Sequence, residues 1–141
     1  MNDALEAVPT GPLDHIAVAV FDIDTAATRY LPLGAELVHR EEVEGQGVEV
    51  AFLDVPGTTT IELVCPTRPE SPIARFLAKR GEALHHICFR VDDLETSLAA
   101  ARAAGLRLID ETPRQGAKNS RIAFLHPEST GILIELKQPA A

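Results

Sequence analysis

Two kinds of residue are scarce in this 141-residue chain: cysteine and the basic amino acids. Cys65 and Cys88 are its only cysteines, which excludes a disulfide framework and is typical of a reducing compartment. The 13 lysines and arginines are outnumbered by 21 aspartates and glutamates, which gives a net charge of −8. Nucleic-acid binding through phosphates needs a basic patch. We therefore expect a cytoplasmic protein with no nucleic-acid partner.

Long apolar runs are also missing from the sequence. A membrane-spanning helix needs roughly 20 consecutive apolar residues, so we expect no membrane partner. The first residues, Met1–Gly11, have neither the basic start nor the apolar core of a secretory signal. We predict a disordered tail over residues 1–12, followed by one domain over residues 13–141. That length is sufficient for a hydrophobic core without disulfides.

The chain does contain an internal repeat. LDHIAVAV at 13–20 is matched by LHHICFRV at 84–91, and this match puts His15 and His86 71 positions apart. IELVCP at 61–66 is matched by IELKQP at 134–139, which puts Glu62 and Glu135 73 positions apart. Two anchors at almost the same spacing indicate a duplicated unit. We predict modules over residues 13–66 and 84–139, joined by a linker helix.

Each module has the pattern of a strand, a helix and further strands, which predicts an α+β fold of two βαβββ modules. Ser71 and Pro72 are typical of a helix start, and Gly81 can end the linker helix. Pro32 should end the first module's helix, and Asp93 should cap the second module's helix. The predicted helices cover residues 24–31, 71–81 and 94–104; the predicted strands cover 15–20, 48–55, 59–64, 84–91, 106–110, 121–125 and 132–137; a polar loop covers 115–120.

Strand parity singles out four polar side chains. Side chains alternate between the two faces of a strand. At related places of the two modules, an otherwise apolar strand is interrupted by a polar residue: His15, Glu62, His86 and Glu135. Taken singly, each has an ordinary interpretation as a core or solvent-facing residue. Taken as a duplicated set, they predict a shared metal ion, since two imidazoles and two carboxylates suit Zn²⁺, Mn²⁺, Co²⁺, Ni²⁺ or Fe²⁺.

At these residues the chain resembles the vicinal oxygen chelate superfamily. The resemblance extends over residues 13–139, and within the superfamily it is strongest to the methylmalonyl-CoA epimerase family. The matching segments are LDHIAVAV, GVEVAFLDVPG, TTTIELVCP, SPIARFLAKRGEALHHICFRVDDL and FLHPESTGILIELKQP. The resemblance implies a glyoxalase-like fold in which the paired modules form a metal-binding cup.

The resemblance also implies roles for individual residues. His15, Glu62, His86 and Glu135 would be the metal ligands, with Co²⁺ expected and Mn²⁺, Ni²⁺ or Zn²⁺ as alternatives. Glu135 and Glu49 would be the acid/base pair that moves the proton at C2 of the substrate. Glu49 also has an ordinary interpretation, as a solvent-facing Glu at the start of a strand.

Substrate and partners follow from the same resemblance. It implies an acyl-CoA substrate and a homodimer. Lys118 and Arg121, on or beside the polar loop, could bind the CoA phosphates, although both also have an ordinary interpretation as surface charges.

Three other functions remain compatible with the sequence. A glyoxalase I-type lyase would use the same four ligands on a glutathione hemithioacetal. A dioxygenase of this fold would use two histidines and one glutamate on Fe²⁺, which Glu62 argues against. A metal-free, antibiotic-sequestering protein of this fold would have no use for the four ligands.

Overall fold

The computed structural model describes residues 7–141, which form two compact units. The first unit is residues 14–86. The second unit combines residues 7–13 with residues 87–141. In the part of the chain that the structure describes, no helix is both long enough and apolar enough to span a membrane.

The predicted tail, residues 1–12, is described only in part, because residues 1–6 lie outside the described residues. The end of this segment is bound to the second unit. The Gly11 N–H donates to the carbonyl of Arg90 at 2.6 Å, and the Ser97 hydroxyl donates to the carbonyl of Pro9 at 2.6 Å. These hydrogen bonds fix the backbone that leads into the first strand.

The first unit is a four-stranded sheet with two helices. Its strands are β1 (Leu13–Ala19), β2 (Glu36–Val43), β3 (Val48–Asp54) and β4 (Thr60–Pro66), and its helices are α1 (Ile23–Thr28) and α2 (Pro72–Arg80). The strand order is β2-β3-β4-β1, in which β1 is parallel to β4 and the other pairs are antiparallel. Up to β4 this is a βαβββ succession, as predicted. The unit ends inside β5 (Ala83–Arg90).

One face of this sheet packs against α1, and we call it the helix face. Its core joins apolar residues of α1, β3 and β4, among them Ile23, Ala26, Ala51, Leu53 and Leu63. Leu53 and Leu63 are almost fully buried. Burying a leucine side chain contributes about 1.5–3 kcal/mol, so this cluster accounts for much of the unit's cohesion.

The helices of the first unit begin and end at capping residues. The Asp22 side chain accepts from the Thr25 N–H at 2.8 Å, and the Ser71 hydroxyl accepts from the Ile73 N–H at 3.2 Å. The predicted linker helix is confirmed as α2. Helix α1 ends at Thr28, earlier than predicted, because the chain continues into a separate 3₁₀ turn that contains Pro32.

The second unit repeats the βαβββ succession. After the second half of β5 come α3 (Leu94–Ala103), β6 (Arg114–Gln115), β7 (Arg121–Leu125), the short helix α4 (Pro127–Thr130) and β8 (Leu133–Gln138). The strand order within the unit is β5-β8-β7-β6. The predicted helix 94–104 and the predicted strands 121–125 and 132–137 are confirmed to within a residue at each end. Apolar residues of α3, β7 and β8 form its core, including Leu94, Leu98 and Leu136.

The predicted strand over residues 106–110 is wrong. This segment makes only a single bridge, between Leu108 and Leu125. Further along, the Asp110 carboxylate accepts from the Phe124 N–H at 2.9 Å, so a side chain takes the place of a ladder partner. The predicted polar loop 115–120 contains a 3₁₀ turn in which Lys118 and Asn119 have positive φ angles of 55° and 59°.

Candidate metal centre

The face of the first-unit sheet opposite the helix face carries the candidate site, and we call it the site face. Phe52 of β3 pairs directly with Glu62 of β4. The ring of His15, on β1, meets the Phe52 ring edge-on at 5.8 Å between centroids. His15 and Glu62 are 2% and 6% exposed. The alternation of β1, β3 and β4 therefore buries an imidazole and a carboxylate beside an aromatic ring.

Three donor atoms converge on this face. The His15 Nε2 lies 3.4 Å from the Nε2 of His86, at the start of β5, and 3.5 Å from the Oε1 of Glu62. The His86 Nε2 lies 3.6 Å from the same Oε1. His86 is itself only 4% exposed. We call these three residues the ligand triad.

The spacing of the triad fits a bound metal ion. Ligands about 2.1 Å from a tetrahedral ion stand about 3.4 Å apart, which matches all three separations. Two imidazole nitrogens and a carboxylate oxygen are also the donor types that divalent transition metals prefer. The triad can therefore hold a divalent metal ion.

Each histidine of the triad is held by the residue that precedes it. The His15 Nδ1 lies 2.8 Å from the Oδ2 of Asp14, which is 8% exposed, and the His86 Nδ1 lies 2.8 Å from the Nδ1 of His85. An Nδ1–H that donates to Asp14 leaves the Nε2 lone pair of His15 directed at Glu62 and His86. Metal-ligating histidines are typically held in this way, which fixes the tautomer and the ring orientation.

Strand parity alone does not predict either of the two orienting residues, Asp14 and His85. Strand parity points His85 to the opposite face from His86, yet its ring turns back and also packs against Phe76 at 4.9 Å. A signal was present in the sequence, because a residue able to accept a hydrogen bond precedes the histidine in both repeats. Asp14 and His85 are separated by the same 71 positions as His15 and His86.

The structure does not bring Glu49 into this group. Glu49 pairs with Cys65 on β4, whose side chain packs with the core of the helix face. Its carboxylate accepts from the Arg40 Nε at 2.9 Å, and the Arg40 NH1 donates to Asp24 of α1 at 2.7 Å. The two carboxylates hold the pKa of the Arg40 guanidinium above its ordinary value, with Glu49 the larger cause. The predicted second base therefore lies on the helix face, away from the triad.

Glu135, the fourth predicted ligand, lies on β8 in the second unit. It pairs with Phe124 of β7 and is 6% exposed. A carboxylate buried to this extent is unusual without partners. Its place on an apolar strand is the same as that of Glu62 in the first unit, and its role as a ligand stays a prediction.

The two predicted phosphate-binding residues have different environments. The two terminal guanidinium nitrogens of Arg121 donate to the Glu95 carboxylate, each at 2.9 Å, in a bidentate pair. This pairing raises the pKa of Arg121 and lowers that of Glu95. Lys118 is exposed in the left-handed turn.

Comparison with known proteins defines the family. The model of the glyoxalase/bleomycin resistance protein/dioxygenase superfamily matches residues 14–124, and the chain belongs to this superfamily. A methylmalonyl-CoA epimerase from Mycobacterium tuberculosis has a TM-score of 0.91 at 42% identity, over 99% of this chain and 95% of that chain. A methylmalonyl-CoA epimerase solved in complex with methylmalonyl-CoA and NH4+ has a TM-score of 0.87 at 39% identity, over 94% and 96%.

A curated relative agrees with these structures. The ethylmalonyl-CoA/methylmalonyl-CoA epimerase of Cereibacter sphaeroides is 39% identical over 132 residues, which cover 91% of this chain and 98% of its own length. Within the superfamily, the chain thus belongs to the methylmalonyl-CoA epimerase family. The predicted resemblance and the glyoxalase-like α+β fold are confirmed.

Proposed function

We propose that this protein is a metal-dependent epimerase that interconverts (2R)- and (2S)-methylmalonyl-CoA. We infer the substrate from the relatives, because several of them are named as methylmalonyl-CoA epimerases. The observation that carries the proposal is the ligand triad, three buried donor atoms 3.4–3.6 Å apart. A protein of this fold that only sequesters a small molecule would have no use for such a group.

The reaction removes the proton at C2, alpha to the thioester, and returns a proton to the opposite side of that carbon. Negative charge then develops on the thioester oxygen, and its stabilisation is the main catalytic requirement. A divalent ion held by His15, Glu62 and His86 would supply a Lewis acid for this charge. Asp14 and His85 orient the two imidazoles, and the nearby Phe52 ring limits access of water to the triad.

Glu135 completes the proposed centre as fourth ligand and as one of the two proton-transfer groups. The support is the repeat, which gives Glu135 the same strand position as Glu62, and its burial. Co²⁺ is the proposed ion, with Mn²⁺, Ni²⁺ and Zn²⁺ as alternatives that the same donor set accepts. We assign the CoA phosphates to Lys118 and Arg121, which lie on or beside the polar loop 115–120.

Assembly and location complete the proposal. A homodimer is supported by exposed apolar side chains such as Phe21 and Leu33, which are 62% and 69% exposed. A cytoplasmic location is supported by Cys65 and Cys88, which both lie within the described residues and form no disulfide. Light scattering of the purified protein would test the first, and cell fractionation the second.

The activity is tested by deuterium exchange. Purified protein loaded with Co²⁺ is incubated with methylmalonyl-CoA in D₂O, and the C2 position is followed by NMR beside a chelator-treated sample. We expect rapid exchange and inversion that the chelator abolishes. Absence of exchange with metal bound in stoichiometric amount would overturn the proposal. Turnover of a glutathione hemithioacetal by the same sample would then identify a glyoxalase I-type lyase.

A further inference from the structure

Strand β2 brings a second titratable pair to the site face. His39 pairs with Phe52 in the β2–β3 register, and Phe52 pairs with Glu62 in the β3–β4 register. The three side chains therefore stand in one row across three strands. Glu41 follows two residues after His39, on the same face of β2, opposite Val50.

His39 and Glu41 form a hydrogen-bonded dyad. The His39 Nε2 lies 2.7 Å from the Glu41 Oε1. The His39 ring packs against the Phe52 ring, with 6.0 Å between their centroids. The His15 ring packs against the same Phe52 ring, with 5.8 Å between centroids. A single aromatic ring thus separates the dyad from the ligand triad.

The dyad differs from the triad in exposure. The side chains of His39 and Glu41 are 36% and 31% exposed, whereas those of His15, His86 and Glu62 are below 10%. The exposure of His39 and Glu41 allows the dyad to meet a substrate and to exchange a proton with water.

Epimerisation needs a second proton-transfer group besides Glu135, since the proton leaves from one side of C2 and enters from the other. Glu49, the predicted second group, lies on the helix face, away from the triad. Its neighbours on the site face of β3 are Val48 and Val50, which are buried and cannot transfer a proton. Within the dyad, Glu41 pairs directly with Val50.

We propose that His39 is the second catalytic acid/base and that Glu41 is its positioning residue. This inference rests on the proposed epimerase function. With its Nε2–H donated to Glu41, His39 has the Nδ1 lone pair available for the C2 proton, directly or through one water. The C–H electron pair moves to the thioester oxygen as an enolate, and Glu135 delivers a proton to the other side of C2. For the opposite epimer the two groups exchange tasks.

The test separates exchange from inversion. We would prepare H39Q, E41Q and E41D, with E42Q as the matched control, because Glu42 is the next residue of β2 and faces the other side of the sheet. Each Co²⁺-loaded variant is given (2R)- and (2S)-methylmalonyl-CoA separately in D₂O. Deuterium at C2 and inversion are measured in parallel, with bound metal and melting temperature recorded for every variant.

We expect H39Q to lose inversion by about 100-fold or more, within the usual range for a general acid/base. One epimer should still exchange its C2 proton, so that the ratio of exchange to inversion rises for that epimer alone. E41Q should slow inversion less than H39Q does, E41D should recover part of the loss, and E42Q should match the wild type.

Two results would overturn the dyad's role while leaving the epimerase in place. The first is inversion by H39Q at the wild-type rate. The second is an equal loss of exchange and inversion for both epimers, which a structural defect would produce. Wild-type protein that neither exchanges nor inverts would instead overturn the epimerase function, and the role of the dyad with it.

Discussion

The two faces of the first-unit sheet hold charged groups in opposite ways. On the helix face, Arg40 bridges the carboxylates of Glu49 and Asp24 at a partly exposed rim. On the site face, His15, Glu62 and His86 direct three donor atoms at one point in the interior. The first arrangement places two carboxylates against one guanidinium, whereas the second has the spacing of ligands around a divalent cation. The difference teaches that a metal centre in this fold is identified by several buried donor atoms that converge on one point, rather than by the presence of a carboxylate.

The largest effect should come from the site face. We expect His86→Ala to abolish bound metal and to lower turnover by at least about 1,000-fold, because a truncated imidazole leaves the triad with two donors. Metal analysis of the purified protein and the exchange assay measure both effects. Full metal content and wild-type turnover would remove His86 from the centre.

The helix face should respond in stability alone. We expect Leu63→Ala to lower the free energy of unfolding by about 2–5 kcal/mol, because Leu63 is fully buried among Ala51 and Leu53. The fraction that remains folded should turn over normally. Denaturant unfolding measures the loss, and a change in metal affinity would show that the two faces are not independent.

A smaller effect should come from the orienting residues. We expect Asp14→Asn to weaken metal binding about 10- to 100-fold, since an amide supports the His15 Nδ1–H less strongly than a carboxylate does. Competition with a chelator of known affinity measures this change. Unaltered affinity would mean that the ring is held by packing against Phe52 rather than by its hydrogen bond.

The ion pair and backbone hydrogen bond of Glu82 should make the stability of the protein depend on pH. The Phe21 N–H and the Arg29 guanidinium both donate to Glu82, and they hold the pKa of its carboxyl below its usual range, the backbone hydrogen bond being the larger cause. The folded pKa lies below the unfolded one, so the stabilisation is present above the unfolded pKa and is lost as the pH falls through the folded value. We expect about 1 kcal/mol or less, because the groups are partly exposed. Melting curves of Glu82→Gln and wild type should converge as the pH falls below about 4.

The smallest effect sharpens the comparison between the faces. Glu49→Gln should leave turnover within about twofold of the wild type, because Glu49 pairs with Arg40 on the helix face. Steady-state kinetics with equal metal loading is the measurement. A loss comparable to that of His86→Ala would return Glu49 to the catalytic machinery.

Much of the fold could be predicted from local signals. The linker helix has a serine cap, a proline at its first position and a closing glycine, and the repeat marked the strands that carry His15, Glu62 and His86. Strand β2 was not located, because its sequence, ELVHREEV, lies at the sheet edge and carries charged residues on both faces. Residues 106–110 look like a strand but lose their pairing to the Asp110 side chain.

For the candidate site, the sequence predicts which side chains of a single strand share a face, but not which residues of neighbouring strands lie beside them. Alternation within a strand gives relative faces, but the comparison of Glu49 with Glu62 requires the register between β3 and β4. That register pairs Phe52 with Glu62 and thereby turns Glu49 to the other side. The same limit hid His39 and Glu41, whose position on the site face follows from the pairing of β2 with β3.

The two hydrogen bonds behind the triad also make its histidines unequal. Asp14 accepts as a carboxylate, which increases the electron-donating power of the His15 ring. The partner of His86 is instead the imidazole of His85. Of the two imidazoles, His15 would therefore be the stronger electron donor to a divalent ion, and His86 the weaker.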